Sequence, residues 1–424
     1  MLDIKFIREN KDLVLDAARK KRLKFDVTRL IQVDDKRREV LSSVESKRTL
    51  QNEFSLKIPQ ETNSTLKLKY IEDMRTLKED LQKEEEELKE IMKEWQSLMV
   101  QVPNVPDVSV PEGDSDAENK EVKVWGEKPV FDFEPKNHIE LMENLDMVDF
   151  ERGTKVAGFR GYFLKGDGVL LNMALWNFVM DHFLEKGDFM PLMTPSMVRR
   201  EPFMGTGYLP QSEEDLYKTQ DGDYLSGTAE VATMGFLMDE VIPKEKLPMK
   251  FIAFSPCFRR EAGSHGKDVK GLYRVHEFFK LEQVVLCEAS HETSVRFHEE
   301  LTMNSEEMLQ KLNIPYHVVV NCGGDLGLGQ VKKYDIESWR PGQNAYGETH
   351  SSSYFHDFQT RRLNIRYKND EGRLQFAHSL NNTALATPRI LISIIENYQQ
   401  ADGSIKIPDA LVKYMGGRTV ITKK

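Results

Sequence analysis

Residues 257–282 hold the side chains with the plainest chemistry. Arg259, Arg260 and Glu261 open the stretch. A loop of small and polar residues follows, with Gly263, Ser264, Gly266, Lys267, Asp268 and Gly271. The chain returns through Tyr273, Arg274, Val275, His276, Phe278, Lys280 and Glu282. Strand-like runs at 251–254 and 283–286 flank it, so it reads as strand, polar loop, strand. Side chains alternate on such a ladder: Arg259 and Glu261 point one way, and Phe278, Lys280 and Glu282 share a face of the return strand. Arginine's planar fork grips phosphate bidentately and stays charged at working pH, which suits a triphosphate. Phe278 can cover a purine, and Glu282 can hold an ammonium or hydroxyl group of a second, small substrate. The same pattern also describes a plain hairpin whose charges face water.

Three more groups carry usable chemistry. In Thr228, Ala229, Glu230 a threonine precedes a glutamate, which is most often a helix start. Glu348, Thr349, His350 and Ser351 lie in a polar turn. A carboxylate and a hydroxyl beside phosphate suit hard, octahedral Mg²⁺, while His350 reads as structural. Arg389 opens a helical pattern over 390–398, where backbone N–H groups already favour anions. A surface base at that end would oppose the helix dipole.

Arg259 with Glu261, the loop, and Arg274, Val275, His276 and Phe278 resemble motif 2 of class II aminoacyl-tRNA synthetases, in the form found in seryl-tRNA synthetases. Residues 189–195 resemble motif 1, the dimer-interface element, with Pro195 matching its proline; an ordinary helix-to-strand turn fits that spacing equally well. Asn381, Asn382, Thr383 and the run to Pro388 and Arg389 resemble motif 3. The likeness spans nearly all 424 residues.

The resemblance implies an ATP site in which Arg259 holds the α-phosphate, Arg389 the outer phosphates, Phe278 the adenine, and Glu348 with Ser351 a magnesium ion. Arg260, Glu261, Val275, Thr349 and His350 complete it, with Arg259, Glu261 and Arg389 catalytic. Thr228, Ala229, Glu230, Arg259, Glu282, Asn381 and Thr383 would bind serine. The implied reaction is ATP-dependent ligation of L-serine to tRNA(Ser) through a seryl-adenylate, with tRNA(Sec) as a further possible acceptor. It needs no side-chain nucleophile, only alignment and charge neutralisation. Two positions depart from the family pattern. Gly347 stands where many relatives have arginine, removing a charge near the triphosphate, and Ser352 stands where they often have cysteine.

The elements that position these residues follow from length and pattern. A chain of 424 residues and 49.0 kDa exceeds one ordinary core, so at least two domains are expected. The mixture, 39% hydrophobic and 30% charged, is that of a soluble protein. No apolar run approaches a membrane span and residues 1–22 alternate acids and bases, so a cytoplasmic protein is expected, with no membrane partner. Cys257, Cys287 and Cys322 are far apart and suggest core thiols and no zinc site. A net charge of -10 excludes indiscriminate coating of nucleic acid. Residues 1–58 nevertheless carry 15 Lys and Arg against 10 Asp and Glu, a local basic bias.

Residues 2–22 predict a short amphipathic helix through Ile4, Ile7, Leu13, Val14 and Ala17. Two coiled-coil seams follow, one over Val33, Arg37, Val40, Val44, Lys47, Gln51, Phe54 and Ile58. The other runs Tyr70, Met74, Leu77, Leu81, Glu84, Leu88, Ile91, Trp95 and Leu98. Pro59, Thr62, Asn63 and Ser64 break them, so the helices run antiparallel, each roughly 40 to 55 Å long. A dimerisation coil fits this pattern as well as an arm does; the resemblance favours an arm gripping tRNA. Arg29, Lys36, Arg37, Arg38, Lys47 and Arg48 are its candidate phosphate contacts. The expected division is an α+β protein with a helical-arm domain at 1–102, a proline-rich linker at 103–118, and a synthetase domain at 119–424. That last domain is built on a mainly antiparallel sheet flanked by helices and forms a homodimer. Competing readings are a synthetase-derived RNA-binding protein with impaired catalysis, for which Gly347 argues, and a ligase loading carrier proteins, against which the arm argues.

Overall fold

A computed structural model describes residues 1–263 and 270–423. The loop residues Ser264, Gly266, Lys267 and Asp268 lie outside the described residues. The chain forms two compact units, one of residues 3–19 and 23–103, the other of residues 1–2, 20–22 and 104–424.

The first unit is helical. The single N-terminal helix expected is two, α1 (Ile4–Glu9) and α2 (Lys11–Lys20), because Asn10 leaves the helical region and folds its side-chain amide onto the Phe6 carbonyl at 3.0 Å. Two long helices, α3 (Val27–Gln60) and α4 (Ser64–Met99), follow. Their contacts run in opposite sequence order: Arg29 with Glu94, Lys36 with Glu87, Lys47 with Glu84, and the Phe54 ring 5.8 Å from Tyr70. They are therefore antiparallel. Val33, Val44, Met74, Leu81 and Ile91 fill the seam, and Lys47 pairs with Glu84 where it turns polar. Pro59 does not end the first helix. It lies one residue from its end, where the bond that its missing N–H forgoes belongs to a turn already stopping. Asn63 starts the second helix by accepting from the amides of Thr65 and Leu66.

The second unit is built on eight strands: β1 (Lys120–Trp125), β2 (Met190–Met193), β3 (Met249–Phe258), β4 (Glu277–Cys287), β5 (Tyr316–Val320), β6 (Lys332–Arg340), β7 (Ala345–His356) and β8 (His378–Thr387). Their order is β1-β5-β6-β7-β8-β4-β3-β2. Every pairing is antiparallel except that of the edge strand β2 with β3, so the expected architecture is observed. The flanking helices are α5 (Asp167–Lys186), α6 (Ala229–Gly235), α7 (His291–Lys311) and α8 (Arg389–Asn397).

Helix α7 covers one sheet face. Gln283 reaches from β4 to the Leu301 carbonyl at 3.2 Å, and Asn382 from β8 to the Ser305 hydroxyl at 3.0 Å. These buried amide groups donate to the helix on the covered face, which leaves the opposite face for chemistry.

Candidate active site

Directly opposed residues of neighbouring strands share a face, and the register therefore assembles the site. Glu282 of β4 lies opposite Ala253 of β3 and Thr383 of β8; Lys280 opposes Ser255, and Phe278 opposes Cys257. Small residues on β3 make a floor beside the charged residues of β4. Asn381 opposes both Val284 and Ser353, so it joins the same face. On β7 a bulge matters more. Glu348 opposes Glu337, His350 opposes Ile336 and Ser351 opposes Asp335, leaving Thr349 as the extra residue. Glu348 and Ser351, three apart in sequence, thus share the open face, and His350 turns to the other. A carboxylate and a hydroxyl on one face fit a magnesium ion that phosphate oxygens would help to ligate.

Cations converge at one end. Arg259 follows β3, donates its amide to the His276 carbonyl at 2.9 Å, and sets its guanidinium 5.1 Å from the centre of the Phe278 ring. Arg389 opens α8, where its Nη1 lies 3.4 Å from Glu348 Oε2 and its Nε donates to the Tyr273 carbonyl at 3.1 Å. Burial would raise the Glu348 carboxyl, yet Arg389, Lys333 and Arg259 together hold it below its ordinary value. Arg259, Glu348 and Arg389 come from three distant segments and act on one another.

A second set of buried polar groups lies beside them. Glu230 is 4% exposed; Gln359 donates to one of its oxygens at 2.6 Å and Tyr208 to the other at 3.0 Å. Burial, with the Glu282 charge adding to it, pushes Glu230 up to about 7 despite these hydrogen bonds. Glu282 pairs with Lys280 at 2.9 Å and accepts from Thr383 at 3.3 Å. The Tyr208 phenol feels the charges of Arg259 and Glu282 as well as that of Glu230, so the two groups of residues adjoin.

Several expected positions behave differently. The β3 ladder ends at Phe258, and Glu261 takes a left-handed backbone (φ 54°) and pairs with Arg274 at 2.5 Å instead of sharing the strand face of Arg259. Arg260 is exposed and lines a separate cleft with Glu213, Tyr217 and Lys218. Val275 is buried. Thr349 donates to the Ile336 carbonyl at 3.2 Å and bonds His350 Nδ1 at 2.9 Å, so these two buried side chains are engaged within the strand. Burial lowers His350 to about 4. Thr228 caps α6, its hydroxyl accepting the Glu230 amide at 3.3 Å, and Ala229 is fully buried behind it. Tyr208 and Gln359 come from separate segments whose approach to Glu230 no local spacing announces, whereas Lys280 meets Glu282 from two residues away on the strand face they were expected to share.

Most of the arm's cations are paired. Arg29, Lys36, Lys47 and Arg48 bridge to Glu94, Glu87, Glu84 and Glu85 of α4 at 2.5 to 3.0 Å. Arg37 bonds the buried Asp34 at 2.8 Å and stacks 4.8 Å from Trp95, which makes it part of the seam. Arg38 is exposed and, among the described residues, holds no ion pair.

An antiparallel sheet with two arginines and a glutamate converging beside buried polar groups fits a class II aminoacyl-tRNA synthetase core, and the match of a family model shows it. Residues 216–398 match the family "tRNA synthetase class II core domain (G, H, P, S and T)", and residues 1–106 match the "Seryl-tRNA synthetase N-terminal domain". The serine–tRNA ligase of Deinococcus radiodurans is 44% identical over 422 residues, covering 99% of both chains; that of Treponema denticola is 43% identical over 420 residues, covering 98% of this chain and 99% of its own. The crystal structure of the Pyrococcus horikoshii seryl-tRNA synthetase complexed with ATP matches with a TM-score of 0.92 at 36% identity over 100% of both chains. The chain belongs to the seryl-tRNA synthetase family.

Proposed function

We propose that this chain joins L-serine to tRNA(Ser) in the cytoplasm as a homodimer, using the open sheet face as its active site. In the first step a serine carboxylate oxygen attacks the α-phosphorus of ATP and the bond to the bridging oxygen breaks, releasing pyrophosphate. In the second a terminal ribose hydroxyl of tRNA attacks the serine carbonyl carbon, releasing AMP and a proton. Arg259 neutralises the α-phosphoryl oxygens, Arg389 the outer phosphates, and Phe278 faces the adenine. Glu261, held by Arg274, fixes the loop that carries Arg259. Glu348 and Ser351 would hold magnesium, which when bound neutralises charge on the phosphates.

Lys280 already balances Glu282, so Glu230 is the better partner for the ammonium of serine. The Thr383 and Glu282 pair takes the hydroxyl, and Asn381 borders it. The convergence of Arg259, Glu348 and Arg389 on one field carries this reading. Residues 1–102 serve as the tRNA-binding arm and 119–424 as the catalytic domain, joined by 103–118. No helix among the described residues is long and apolar enough to cross a membrane. Exposed Leu170 and Met173 on α5, with Met190 and Met193 on the edge strand β2, favour self-association there. Mass spectrometry of a mixture with ATP, magnesium and all the protein amino acids in equal amounts, without tRNA, is expected to show enzyme-bound seryl-adenylate. Formation of another aminoacyl-adenylate in preference to it would overturn the assignment.

A further inference from the structure

Arg340, at the end of β6, is 8% exposed, and its Nε and Nη1 are buried without an acceptor among the described residues. Its remaining terminal nitrogen donates to the Tyr346 carbonyl at 3.1 Å. No carboxylate among the described residues pairs with it. A buried guanidinium without an anion is unfavourable, and such groups persist where a counter-charge arrives from outside. Its surroundings say which. The Arg340 guanidinium lies 4.3 Å from the Tyr273 ring centre and that of Arg389 4.6 Å from the same centre, so one ring carries both cations. Glu348, which reaches this pair, is bound by Arg389, and Glu261, whose charge also acts on Arg389, is paired with Arg274.

Arg340 also owes its seat to a glycine. A β-carbon on Gly347 would fall 2.4 to 2.6 Å from the guanidinium atoms Nε, Cζ and Nη2. Any side chain at 347 would force Arg340 off its place. The next residue is Glu348, so the seat adjoins the ion pair at the mouth of the phosphate site.

We propose that Arg340 is a positioning and specificity residue for the outer phosphates of the nucleotide, adding a stored positive charge behind Tyr273 and Arg389. Among the described residues Arg259, Arg389 and Arg340 then face Glu348, with Glu261 already balanced by Arg274, an excess of positive charge matched to a polyphosphate and poorly matched to a monophosphate. This rests on the nucleotide reading of the site given above.

The test is calorimetric binding of ATP and of AMP to the full chain with magnesium, for the unaltered protein, Arg340→Met and Arg340→Lys. The expected result for Arg340→Met is a fall in the ratio of ATP to AMP affinity on the order of 10- to 100-fold, the range of one charge-assisted contact, with AMP binding unchanged. Arg340→Lys keeps the charge and retains most of the ratio. Should Arg340→Met fail to fold, Gly347→Ala displaces the guanidinium from its seat and is expected to lower the ratio in the same direction. An unchanged ratio, or ATP and AMP weakened in proportion, would show Arg340 to be structural and overturn the inference. If the unaltered protein binds neither nucleotide, the site reading itself fails first.

Discussion

Arg389 holds Glu348 at two points, its Nη1 lying 3.4 Å from the carboxylate Oε2 and 3.3 Å from the backbone carbonyl oxygen of the same residue. The first residue of α8 thereby fixes the bulged strand β7 and favours the ionised form of its carboxylate. Substituting Arg389→Ala is expected to raise the barrier to adenylate formation by about 3 kcal/mol, the scale of one preorganised charge contact. Exchange kinetics in ATP check this, and a variant of near-normal rate would contradict the placement of the outer phosphates.

Glu230 gives a pH dependence with a definite sign. Its folded pKa of about 7 lies above the ordinary glutamate value, so the native state binds the proton more tightly than the unfolded chain. This group's contribution to stability is full at low pH and is lost as pH rises from about 4.3 towards 7, by an amount on the order of 3 kcal/mol. A serine ammonium seated against Glu230 favours the carboxylate, so serine binding near pH 6 is expected to release a proton. Titration calorimetry in buffers of different ionisation enthalpy measures it; heats that do not depend on the buffer would exclude Glu230 as the ammonium partner.

In the proposed site the hydrogen-bonded Thr383 and Glu282 would set the choice between serine and alanine. A pair built to meet a hydroxyl is left unsatisfied by alanine, so removing one member relaxes the preference. For Thr383→Val the ratio of activation efficiencies, serine over alanine, is expected to drop by about 10-fold or more, corresponding to one lost buried hydrogen bond. A ratio unchanged within error would place the serine hydroxyl elsewhere.

On the arm the structure separates two adjacent arginines. Arg38 is exposed and unpaired among the described residues, whereas Arg37 is tied to Asp34 and Trp95. Arg38→Ala is expected to weaken tRNA binding and lower the salt slope of log affinity by about 1, leaving serine activation intact. Arg37→Ala is expected to lower the melting temperature with little change in that slope. Anisotropy titrations at several salt concentrations distinguish them, and equal slopes for Arg38→Ala and the parent chain would remove Arg38 from the interface. Arg29, Lys36 and Arg48 stay eligible, since an exposed ion pair worth less than about 1 kcal/mol exchanges readily for phosphate, whereas Lys47 is half-buried against Glu84 in the seam.

What could be read in advance was whatever local periodicity determines. The helical hairpin and the antiparallel sheet follow from pattern, and the approach of Arg259 and Arg389 to Glu348 follows from resemblance alone. The failures share a cause, since each depends on partners far along the chain. The extra residue in β7 is invisible in a run of serines, yet it alone brings Ser351 beside Glu348 and sends His350 away. Glu261 looked like a strand residue because nothing local announces its left-handed turn. The arm's cations looked free because their acids sit about forty to sixty-five positions away, on a second helix. Gly347 looked like a lost charge, and the structure sets a guanidinium from the neighbouring strand over it.

The central claim is that one cleft activates serine with ATP. Exchange of labelled pyrophosphate into ATP, measured on the purified chain without tRNA, tests it most directly. Exchange that requires serine, is faint with alanine or threonine, and disappears in Arg259→Ala is the predicted result. Exchange indifferent to serine, or undiminished in Arg259→Ala, would contradict it.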